Sequence, residues 1–105
     1  MELEFESAQH DGTLRVELAG DLDVTTAGSV EERLIELEQG DPPDRVVLDL
    51  RRLRFIDSTG LSLLLNADSR GRKAGRPVTV VSGTGAPRRI LETTGLGRRL
   101  DIVEE

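Results

Sequence analysis

The sequence predicts an α/β fold: a small mixed β-sheet with an antiparallel N-terminal hairpin, then βαβ crossovers that pack helices against the sheet. Two observations carry this. Apolar residues recur first at every second position, then at helical spacing, and then in short runs such as Val46-Val47-Leu48 and Val78-Thr79-Val80-Val81. These are the marks of half-buried strands, an amphipathic helix and buried strands in turn. Turn residues also separate the segments regularly, which gives the order β-β-α-β-α-β-α-β and a parallel remainder of the sheet joined by helices. With 105 residues and 36% hydrophobic content, the chain is expected to form one domain with a modest core.

Leu3 and Phe5, then Leu14, Val16 and Leu18, alternate with polar residues as two half-buried strands would, and Asp11-Gly12 between them signals a hairpin. Ala27, Val30, Leu34 and Leu37 then line one face of a helix, with Thr25 or Thr26 placed to cap its start and Gly40 to end it. After the Asp41–Asp44 loop, Arg45 to Leu50 reads as a strand central in the sheet. Phe55 to Gly60 turns into a second helix from Leu61 to about Lys73, closed by Gly75-Arg76-Pro77. Val78 to Val81 is a further strand. A short helix from Pro87 to Thr94, stopped by Gly95, leads to a last edge strand over Leu100 to Val103.

Composition removes several classes of function. A net charge of −6 repels nucleic acid and anionic lipid, and 2% aromatic residues leave no base-stacking platform. The absence of cysteine excludes disulfides, thiolate nucleophiles and cysteine zinc sites, and the single histidine, His10, is a poor start for any metal site. No signal-peptide pattern or membrane-length apolar run is present, so a cytoplasmic chain without direct membrane insertion is expected. No cofactor is expected.

The informative segment is Phe55-Ile56-Asp57-Ser58-Thr59-Gly60-Leu61, which sets a carboxylate and two hydroxyls at the mouth of a helix. Capping by Asp57 or Ser58 is the plain explanation. Two details ask for more. Neither residue is followed by Glu or Gln three positions on, so no capping box forms, and Gly60 in a first turn costs roughly 0.5 to 1 kcal/mol relative to alanine, which implies close approach to the backbone there. A phosphoryl group on Ser58 would meet the positive end of the helix dipole beside Asp57.

Together with Val46-Val47-Leu48-Asp49-Leu50 and Gly20-Asp21-Leu22-Asp23, this motif resembles the STAS domain of bacterial anti-sigma factor antagonists, over nearly the whole of residues 1–105. The resemblance implies a non-enzymatic switch. In that family the serine after the motif's aspartate is phosphorylated by an anti-sigma factor that is also a serine kinase. The position corresponds to Ser58, with Thr59 as a minor alternative. The unphosphorylated form would bind the anti-sigma factor and release a sigma factor, and a PP2C-type serine phosphatase would restore it. The family's loop after the second strand contributes to partner contact, which carries over to Asp21 and Asp23. The implied partner surface therefore comprises Asp21, Asp23, Asp57, Ser58, Thr59, Gly60 and Leu61. The family usually continues into a C-terminal helix after its last strand, whereas this sequence stops at Glu105, so partner or dimer contact through such a helix is not expected of it.

Helical geometry adds Leu63. At about 100° per residue, Leu61, Leu64 and Leu65 share a face while Leu63 points away, so Leu63 is expected to offer an apolar contact beside Ser58. Two other functions share the fold class: a subunit of a membrane transport complex, and a nucleotide sensor built on Gly83-Thr84-Gly85. The second lacks a third glycine or a P-loop lysine. A phospho-aspartate receiver would need an adjacent acidic pair for magnesium, and a hydrolase would need a base near Ser58; the sequence supplies neither.

Overall fold

Asp11 and Gly12 both adopt positive φ, 50° and 80°, as the tight turn of a two-residue hairpin requires. That turn joins β1 (Leu3–His10) to β2 (Thr13–Leu22) in an antiparallel register running from Leu3 opposite Gly20 to His10 opposite Thr13. The computed structural model describes residues 2–105. After the hairpin come α1 (Ala27–Gly40), β3 (Arg45–Ile56), α2 (Ser58–Ala74), β4 (Val78–Val81), α3 (Ala86–Thr94), a one-turn 3-10 helix (Leu96–Arg98) and β5 (Asp101–Val103). The sheet has the order β1-β2-β3-β4-β5, and every pair after the hairpin is parallel. The expected element order and sheet are found, with β3 at the centre.

One buried apolar cluster draws on Leu14, Val16 and Leu18 of β2, Val46, Leu48 and Leu50 of β3, and Val78 and Val80 of β4. Ala27, Val30 and Leu34 of α1, Leu63, Leu64 and Ala67 of α2, and Leu91 of α3 complete it. Because a single cluster takes side chains from all three helices, they lie on one face of the sheet. Alternate strand positions form the other face, which carries no helix among the described residues; Arg15, Glu17, Asp49, Thr79 and Asp101 lie on it together with Val47, Val81 and Val103. Asp49 is nonetheless buried, because Arg15 and Arg51 fold over it, each reaching Oδ2 at 2.7 Å. The Arg51 guanidinium holds the Asp49 pKa down to about 2 against the opposing pull of burial, with Arg15 assisting.

Two boundaries and one cap differ in ways that bear on the site. β3 continues six residues past Leu50, to Ile56, through two register irregularities against β2. α2 starts at Ser58 rather than Leu61. Thr26 occupies the N-cap position of α1 without capping it, because its hydroxyl is engaged with the Asp21 carbonyl at 2.8 Å and the Asp23 amide at 3.0 Å. α1 and α2 are clipped together by Arg70, whose Nε and Nη2 bond Glu38 at 2.8 and 3.0 Å and whose Nη1 bonds Glu31 at 3.1 Å.

Candidate functional site

The chain leaves β3 at Ile56 and enters α2 at Ser58, so Asp57 alone makes the turn. Its extended backbone (φ −109°, ψ −171°) frees the side chain to cap, and Oδ1 accepts the Gly60 amide at 3.0 Å. The second oxygen reaches across to the end of β2, where Oδ2 accepts the Val24 amide at 3.2 Å, while the Asp57 amide donates to the Leu22 carbonyl at 3.2 Å. One carboxylate thus joins the start of α2 to the loop after β2.

Gly60 is explained by the same junction. A Cβ there would stand 2.7 Å from Ile56 Cγ1 and 2.8 Å from the Leu22 carbonyl oxygen. The close approach that its placement implied comes from the protein's own second strand, not from a ligand. The first turn of α2 presses on β2, and Ser58 is pushed to the outside.

Ser58 is exposed, and its hydroxyl makes no hydrogen bond among the described residues. Thr59 is half-buried and Leu61 partly buried. The Ser58 and Thr59 amides sit where a helix offers donors without intrahelical acceptors, and the Asp57 carboxylate is committed to Gly60 and Val24. A tetrahedral oxyanion on Ser58 Oγ would find those donors at the positive end of the dipole. His10, the single histidine, lies at the opposite end of the ten-residue β2 from Ser58, roughly 30 Å away at strand rise.

The other expected residues gather around this turn in different roles. Asp21 faces Phe55 across the sheet and pairs loosely with Arg54 at 3.4 Å. Asp23 is turned inward and is only 3% exposed. Its Oδ1 accepts the Thr25 hydroxyl at 2.6 Å and the Thr25 amide at 2.8 Å, and the hydroxyl bond above all holds its pKa below the usual carboxylate value. Through Oδ1 the Asp23 carboxylate holds the loop after β2, while Oδ2 is buried without a hydrogen-bond partner among the described residues.

Leu63 requires a correction. It is 3% exposed and belongs to the core. The inward stripe of α2 is Gly60, Leu63, Leu64, Ala67 and Gly71, centred on its small residues, because these let the helix sit close to the sheet. Reading the face from the leucines alone rotated it. The signal available in the sequence was the Gly60, Ala67, Gly71 spacing. The large apolar side chains left exposed among the described residues are instead Val24 and Phe55, both beside this turn.

The Gly83–Gly85 turn commits the Gly83 amide to the Glu104 carbonyl at 2.9 Å, which ties it to the chain's end rather than opening it as an anion cradle. Among the described residues, no three acidic or histidine side chains converge as a metal site requires, and no helix is long and apolar enough to cross a membrane.

The comparisons with known proteins agree with this geometry. The STAS domain family matches residues 4–105. An anti-sigma F factor antagonist of Paenibacillus polymyxa is 31% identical over 104 residues, covering 99% of this chain and 89% of that one. An anti-sigma-F factor antagonist of Mycobacterium tuberculosis is 31% identical over 93 residues, covering 87% and 73%. The crystal structure of an anti-sigma factor antagonist from Mycobacterium paratuberculosis superposes with a TM-score of 0.84 at 27% identity, covering 99% of this chain and 87% of that one. A family match across nearly the whole chain, relatives of similar length and a shared five-stranded architecture lead to one assignment: the chain belongs to the STAS domain family, among the anti-sigma factor antagonists.

Proposed function

We propose that the chain is a phosphorylation-controlled ligand of an anti-sigma factor that is also a serine kinase. Unmodified, it binds that factor and so frees a sigma factor; modified on Ser58, it lets go. The chain is substrate and ligand rather than catalyst, and it works in the cytoplasm, where sigma factors act. The observation that carries the reading is the exposed, unbonded Ser58 hydroxyl at the start of α2, beside a carboxylate already committed to the fold. Asp21, Asp57, Thr59 and Leu61 lie beside it as the contact surface, with Gly60 buried beneath them.

The modification is a simple transfer. The γ-phosphorus of ATP forms a bond to Ser58 Oγ, the bond to the bridging oxygen of ADP breaks, and the hydroxyl proton passes to a base of the kinase. The product carries close to two negative charges, and burying them unpaired at an interface costs several kcal/mol, enough to dissociate a complex. Hydrolysis of the ester by a PP2C-type serine phosphatase resets the switch.

The test is to incubate the chain with ATP and the purified anti-sigma factor kinases of its source organism. One added phosphoryl group by intact mass, mapped to Ser58, is expected. Ser58→Ala should bind constitutively and Ser58→Asp poorly. Modification confined to Thr59, Ser69 or Ser82, or equal affinity of both variants, would refute the reading.

A further inference from the structure

Val24 is 72% exposed and Phe55 46%, whereas the other large apolar side chains among the described residues are at least partly covered. The fold does not require either to be apolar. Val24 contributes its backbone amide to Asp57, which any residue except proline would supply. Phe55 stands opposite Asp21 on the face of the sheet that carries no helix. Single exposed apolar residues are ordinary on protein surfaces, but here two converge on one turn. Phe55 is three residues from Ser58, a span of at most about 11 Å, and Val24 is bonded to the residue before Ser58.

A macromolecule that seats Ser58 must cover its surroundings. A stable interface takes about 800 Å² from each partner, a disc of roughly 16 Å radius, so both residues lie within the reach of a footprint centred on Ser58. Binding energy concentrates in a few desolvated apolar anchors near such a centre. We propose that Val24 and Phe55 are the apolar anchor by which this chain grips its anti-sigma factor, entering an apolar pocket of that partner beside the groove that takes Ser58. This rests on the reading of Ser58 given above. It takes the place that Leu63 vacates, and it explains how one phosphoryl group breaks a whole interface: a dianion that must stay hydrated holds water within reach of both anchors.

The experiment uses the Ser58→Ala background, which cannot be phosphorylated, and the purified anti-sigma factor kinase as the probe. Val24→Ser and Phe55→Ser should each weaken binding at least tenfold with the melting temperature unchanged, while His10→Ser, at the far end of the hairpin, should bind as the parent does. With Ser58 restored, both variants should raise KM for phosphorylation more than they lower kcat. Val24 lies in a loop, so its variant keeps the test decisive even if Phe55→Ser disturbs β3. Unchanged affinity and KM in a chain that is still phosphorylated on Ser58 overturns the anchor and leaves the Ser58 reading standing. If the parent chain is neither bound nor phosphorylated, the reading fails and the anchor falls with it.

Discussion

The residues of the turn into α2 differ in what they carry: Asp57 bonds Gly60 and Val24, whereas Ser58 faces solvent. The Ser58 side chain is exposed and makes no hydrogen bond among the described residues, so Ser58→Ala should leave stability within about 0.5 kcal/mol of the parent in urea unfolding. Gly60 is the opposite case. A methyl group there must displace Ile56 or the Leu22 carbonyl, an overpacking cost of about 1 to 3 kcal/mol that alanine's better helix propensity only partly offsets. Gly60→Ala should therefore destabilise by roughly 1 to 2 kcal/mol in the same measurement. A stabilised Gly60→Ala variant would show that the first turn of α2 does not press on β2.

At the scale of elements, α2 and β3 separate what spacing reveals from what it hides. The existence, order and pairing of the strands were legible because period-2 and period-3.6 patterns alternate cleanly along this chain. The end of β3 was not, since its inward residues Leu50, Leu53 and Ile56 stand three apart, and the odd residues are absorbed by irregular register against β2, invisible in one strand's sequence. Ser58 at a helix mouth was legible too. The inward turn of Asp23 was not, because it depends on the Thr25 hydroxyl, and the face of α2 was misread because glycine and alanine carry little weight in an apolar pattern. Leu63→Ala should accordingly cost about 2 to 5 kcal/mol, as truncation of a core leucine does. The clamp on β3 adds a pH signature. Asp49 ionises more readily in the folded chain, so its contribution is fully present above the unfolded carboxylate value near 4 and is lost as pH falls toward about 2. Allowing for solvent around the half-exposed Arg15 and Arg51, this amounts to about 1 to 2 kcal/mol. Asp49→Asn should be less stable than the parent at neutral pH, with the difference shrinking between pH 4 and 2.

For the molecule as a whole, a three-helix layer on one face of the sheet and an open face of mixed character on the other place Ser58 at one end, outside the core. Phosphorylation is then expected to leave the sheet as it is. Amide shifts on phosphorylation should be confined to Asp21–Thr25 and Asp57–Leu61, and rearrangement across β3 and β4 would contradict this. The double duty of the Asp57 carboxylate has a consequence for dynamics. The Val24 and Gly60 amides lie 36 residues apart in sequence but depend on one acceptor, so neither can open to solvent alone once that carboxylate swings away. Their hydrogen–deuterium exchange should rise and fall together. Asp57→Ala should accelerate both at once while the paired core of β3 and β4, residues 46–49 with 78–81, keeps the slow exchange that only global unfolding permits.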